Sequence, residues 1–146
     1  MTHGGDGKIY FGHPITIYNT QKESDLIDRI RKMFGWFDVE NPNQKHHQEG
    51  YKRYKDKGER GMNYFFQEVL PKMDAGIFLP FEDGMFGTGV FEEAQFIFNN
   101  NKKIYEISYH GKIDDLFLDS KRGLSIGETL KRVNFGKDDE PLAKNP

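Results

Sequence analysis

The chain contains no cysteine, which excludes disulfides, thiolate metal ligands and a thiol nucleophile. No apolar run reaches the ~20 residues that a membrane-spanning helix requires. The stretch Thr2-His3-Gly4-Gly5-Asp6-Gly7 is polar and lacks a signal peptide's apolar centre, so a soluble, cytoplasmic protein is expected. Charge of one sign is also missing. A formal net charge of −2 gives no electrostatic footprint for nucleic acid or an anionic membrane. Several motifs are absent as well. No Gly-x-Gly-x-x-Gly follows the first strand, and there is no phosphate-loop lysine or Gly-x-Ser-x-Gly elbow, which argues against a dinucleotide fold, a nucleotide-triphosphate loop and a serine hydrolase. His46 and His47 are adjacent, so on a helix their rings should diverge. With His3 and His110 they form no metal-ligand spacing. Neither metal nor cofactor is expected.

What is present suits one domain. Of 146 residues 36% are hydrophobic, and 13 Phe and 7 Tyr supply much of the core volume, too much for a disordered chain. The domain is expected over residues 1–135, with the charged, proline-containing segment 136–146 as a disordered tail. The basic run Lys52-Arg53-Tyr54-Lys55 fits a solvated helix face.

Lys8-Ile-Tyr-Phe-Gly12 is β-prone and forms the first predicted strand. Leu26, Ile27, Ile30, Met33 and Phe34 recur at helical spacing, predicting a helix over 24–34 that stops at Gly35. A short strand is expected over 36–40, closed by Asn41-Pro42, then helix and loop over 44–60. A helix over 62–73 is expected to kink or end early at Pro71. Strands over 75–79 and 103–107 flank a helix over 90–100. A fifth strand is expected at Leu116-Phe-Leu118, and a last helix over 126–133. Strands alternating with helices imply βαβ units: an α/β doubly wound sandwich around a mostly parallel five-stranded sheet, helices on both faces.

In such sheets ligands bind beyond the carboxyl ends of the strands, where strand order reverses. Two loops leave from that edge, Gly12–Thr16 and Asp83–Gly89. Phe11, Gly12, His13, Pro14, Gly87, Thr88, Gly89 and Glu93 are therefore the candidate substrate contacts. The second loop runs into a helix whose first turn is expected to carry Glu92 and Glu93 beside free backbone N–H groups. A carboxylate there serves as nucleophile or base. The same residues also fit an ordinary strand-to-helix connection with solvated glutamates. Tyr10 fits either a core tyrosine or a phenol that orients a catalytic carboxylate.

In order and spacing, Lys8-Ile-Tyr-Phe-Gly12, Met73-Asp-Ala-Gly-Ile-Phe-Leu79, Gly87-Thr-Gly-Val-Phe-Glu92 and Lys103-Ile-Tyr105 resemble the nucleoside 2-deoxyribosyltransferase family, which has a flavodoxin-like fold. The resemblance spans roughly residues 8–107. It implies that Glu92 attacks the anomeric carbon of a nucleoside, that Tyr10 contacts this nucleophile, and that a second base or water takes the sugar. An acid such as Asp83 would assist the leaving base. One extra residue between the glycine pair and the glutamate keeps Glu93 open as the nucleophile. Where the family offers a base-contacting aspartate, Asn63 or Glu68 would have to substitute. The resemblance also covers hydrolases of nucleoside 5′-monophosphates, and a non-catalytic nucleotide-binding module is the third reading. The partners implied are a nucleoside or nucleotide and a free base, with homo-oligomerisation.

Overall fold

The computed structural model describes residues 7–135; the expected tail at 136–146 and His3 lie outside them. Its centre is β1 (Lys8–Gly12), which coincides with the expected strand. β2 (Asp38–Glu40), β3 (Ala75–Phe78), β4 (Lys103–Ile107) and β5 (Ile113–Asp115) complete one five-stranded sheet in the order β2-β1-β3-β4-β5. β1 pairs in parallel with β2 and β3, and β3 with β4. This is the flavodoxin-like order, and its reversal point lies between β1 and β3.

The fifth strand corrects the expected Leu116–Leu118. β4 is followed by a tight reversal in which Ser108 N–H donates to Lys112 O at 2.9 Å and Gly111 adopts φ +87°. That connection is too short for a helical crossover, so β5 must run antiparallel, with Ile107 opposite Ile113. Leu116 then enters the core, and Phe117 is exposed.

Side chains alternate across the strands, and each face acquires its own core. Ile9, Phe11 and Ile77 meet Leu26 and Ile30 of α1 (Gln21–Met33). On the other face Tyr10 and Phe78 meet Phe65, Leu70 and the stripe Val90, Ala94 and Ile97 of α3 (Thr88–Asn99). α1 starts earlier than the expected residue 24 because Thr20 caps it, accepting from Glu23 N–H at 3.2 Å. α2 (Lys45–Asp56) follows β2. Its Gly50 lies so close to the Tyr64 ring that a Cβ would stand 2.1 Å from it.

The helix expected over 62–73 widens instead into a π turn at Phe65–Val69 and tightens to a 3-10 turn at Leu70–Lys72. Pro71 lacks the N–H that a continuing α-helix would use. α4 (Ile126–Phe135) closes the described chain. Phe98 is 55% exposed on α3. No helix among the described residues is long and apolar enough to cross a membrane.

Candidate active site

α3 begins at Thr88, with Gly87 as its N-cap and Phe91 N–H donating to Gly87 O at 2.9 Å. Glu92 and Glu93 therefore lie in the second turn, not the first. Successive helical residues diverge by about 100°, and the two carboxylates part accordingly. Glu93 falls on the buried stripe with Val90, Ala94 and Ile97. Glu92 faces the rim, where Arg60 Nη2 donates to its Oε1 at 3.1 Å.

The inward position places Glu93 beside β1. Tyr10 Oη donates to Glu93 Oε2 at 2.7 Å, with both side chains buried. Tyr10 thus meets an acid as the sequence suggests, but the acid is Glu93 and not Glu92. Burial pushes the Glu93 carboxyl up to about 8, the Tyr10 hydrogen bond opposing and the Glu92 charge adding to the rise. Burial, followed by the Glu93 charge, holds the Tyr10 phenol well above its ordinary range, so it remains a donor. Gly12 leaves room for the carboxyl: a Cβ there would stand 3.0 Å from Glu93 Oε1 and 2.6 Å from the Phe78 ring. Gly12→Ala is expected to destabilise the fold by about 1–3 kcal/mol through overpacking, read as a lower urea midpoint. An unchanged midpoint would show that the contact yields freely.

Tyr18 and Tyr51 complete the surroundings. Burial, then the charges of Glu93 and Glu23, push the Tyr18 phenol up, and Tyr51 lies within its electrostatic reach. Burial also raises Tyr51, against the opposing charge of Arg60. One phenol, Tyr10, therefore bonds Glu93 directly, Tyr18 senses its charge, and the Arg60–Glu92 pair marks the outer edge.

The other expected contacts have structural partners. Phe11 is packed in the opposite core. His13 is buried, with Nδ1 2.8 Å from Phe11 O and Nε2 2.9 Å from Glu23 Oε2. Burial raises the Glu23 carboxyl, but bonds from His13, Asn19 N–H and Asn43 outweigh it and leave the group below its usual range. Pro14 caps a single 3-10 turn, Ile15–Ile17. Gly87 packs against Phe81 and Thr129. The Thr88 hydroxyl donates to Leu124 O at 2.8 Å and hydrogen-bonds Thr129 at 3.0 Å, anchoring α4. Gly89 is half-buried and faces Met62.

Asp83 does not fit the role of proton donor. Arg132 Nη2 and Nε donate to its Oδ2 at 2.7 and 3.0 Å. Arg132 chiefly holds this carboxyl below its ordinary range, so it carries no proton near neutral pH. Glu68 accepts from Tyr54 Oη at 2.7 Å, and Asn63 donates to Glu59.

Sequence reasoning missed Tyr18, Glu23 and Asn43. Asn43 Nδ2 donates to Asn19 Oδ1 and Glu23, tying the loop after β2 to the start of α1. One signal was available: Thr20-x-x-Glu23 has the form of a capping box, which marks Glu23 as a local acceptor. The divergence argued for His46 and His47 also fails. Their rings lie 4.0 Å apart, and ligand atoms of Glu40, His46 and His47 lie within 4.8 Å of one another.

Compared with family models, curated proteins and solved structures, the chain matches none. The site's own chemistry is therefore what bears on function. A buried carboxyl poised near neutrality, held by a phenol at the strand-order reversal, is the kind of group that catalytic sites employ.

Proposed function

We propose that the protein cleaves the N-glycosidic bond of a nucleoside, with Glu93 as nucleophile, and transfers the sugar to a second base. The observation that carries this reading is the buried Tyr10–Glu93 pair between the carboxyl ends of β1 and β3. A glycosidic transition state resembles an oxocarbenium ion, and an adjacent carboxylate stabilises it before forming the ester. Ionised Glu93 bonds to the anomeric carbon as the C–N bond breaks. The base leaves with the bonding pair and takes a proton from water. A nitrogen of the incoming base then attacks the same carbon, releases the carboxylate and gives up its proton to the hydroxide left by that water. Tyr10 orients the nucleophile and favours its ionised form. The phenols of Tyr18 and Tyr51 suit an aromatic base.

Arg60 favours a second reading, hydrolysis of nucleoside 5′-monophosphates. It is an exposed guanidinium at the rim, a cation suited to a phosphate that the loop after β1 lacks.

The test is incubation with deoxynucleosides and their 5′-monophosphates, with and without a second base, followed by chromatography. Base exchange supports the transferase, and free sugar phosphate supports the hydrolase. Binding without turnover leaves a nucleotide-binding module and defeats the enzymatic proposal. Run across pH, kcat/KM is expected to rise about tenfold per unit up to the Glu93 value of about 8 and then level. A flat profile over pH 6–9 would separate the reaction from this carboxyl.

A further inference from the structure

We propose that Glu40, His46 and His47 form a binding site for a first-row divalent cation of the zinc type, independent of the reaction proposed above. Two imidazoles and one carboxylate are a common zinc donor set, with a fourth position left for water. Here the donors come from two elements. Glu40 ends β2 and is paired in register with Tyr10 of β1. His46 and His47 stand in the first turn of α2. The connection between them is folded on itself: Asn43 N–H donates to Asn41 Oδ1 at 2.9 Å, and Gln44 N–H to Pro42 O at 2.9 Å. One ligand atom from each side chain lies within 4.8 Å of the other two, so small rotamer changes bring all of them around one ion.

The surroundings of His47 suit a ligand. Its Nδ1 lies 2.7 Å from Tyr64 Oη, and its Nε2 lies 2.6 Å from Glu40 Oε2. Tyr64 fixes the ring orientation, the role that outer partners play around metal-bound histidines. When a cation takes Nε2, the ring carries its proton on Nδ1 and donates to the Tyr64 oxygen, so the imidazole stays neutral. The buried His47 supplies the inner ligand, and the exposed His46 closes from the solvent side.

Lys8 Nζ at 3.6 Å and Gln44 Nε2 at 3.1 Å compete for Glu40. Both belong to side chains with an exposed portion and can swing away. The Phe65 ring lies 5.7 Å from His47 and 6.3 Å from Tyr10. It packs on both rings, and the three donors do not include the Tyr10–Glu93 pair, so the cation would clamp β2 to α2 without binding the reacting groups.

Titration of the untagged full-length chain with Co2+, followed by Zn2+ competition, tests the site. The expected result is one equivalent bound, a visible absorption of tetrahedral Co2+ that Zn2+ displaces, and a higher Tm with Zn2+. His46→Ala alters an exposed side chain and is expected to fold normally while weakening binding about tenfold or more. Glu40→Gln should do the same. No tetrahedral band in the parent chain would overturn the site, as would undiminished binding by His46→Ala.

Discussion

Glu93→Ala is expected to lower nucleoside turnover by at least about 10³-fold, whereas Glu92→Ala lowers it less than about tenfold. The large effect follows because no covalent intermediate can form without the nucleophile. Glu92 has a different environment, half-buried at the rim with Arg60, and its loss removes that ion pair and a charge that disfavours ionised Glu93. A trapped glycosyl-enzyme ester, located by peptide mass spectrometry on residue 93, is the direct check. An ester on Glu92, or full activity in Glu93→Ala, would reverse the assignment. Circular dichroism and the urea midpoint of Glu93→Ala establish that lost turnover does not come from lost folding.

Glu93→Gln should produce the second large effect, on stability at alkaline pH. The Glu93 carboxyl is raised from 4.5 to about 8, so the folded chain holds a proton that the unfolded chain releases. Its stability is complete below about pH 4.5, declines as pH rises towards 8 and is level above that. Each pH unit across that window removes up to about 1.4 kcal/mol, and the whole decline amounts to several kcal/mol. The amide of Gln does not ionise, and its carbonyl still accepts from Tyr10. Glu93→Gln is therefore expected to gain stability relative to the parent between pH 5 and pH 9, even if unpaired amide hydrogens impose a constant penalty of about 1–3 kcal/mol. Urea denaturation of both proteins across that interval measures the difference. Parallel stability curves would show that Glu93 is not held protonated. Together the two substitutions describe a functional residue maintained against the interest of the fold, which is common at active sites.

How much was legible beforehand varied by element. β1 and β4 were read to the residue, because their apolar runs are short and sharply bounded. β5 was misplaced because the sequence around Leu116 is more apolar than Ile113–Asp115, whose pairing is decided by a backbone reversal at Gly111. At the site, the choice between two adjacent glutamates depended on where α3 starts. Taken from Val90, the helix puts both acids in the first turn. Started at Thr88, it carries Glu93 on the stripe Val90, Ala94 and Ile97. The spacing was visible in the sequence, but an acid on an apolar stripe reads as an exception until a partner such as Tyr10 is seen.

From the sequence alone came the alternation of strands and helices, the loops at one sheet edge and the exclusion of thiol chemistry, since each depends on local periodicity or on residues simply not being present. The tertiary structure alone decided which carboxylate is buried, which stands at the rim beside Arg60, and that Asp83 is occupied by Arg132. It also brought His46, His47 and Glu40 together. Those outcomes follow from contacts between segments distant in sequence, where desolvation and hydrogen bonding set the chemistry of a group whose residue type is the same in either place.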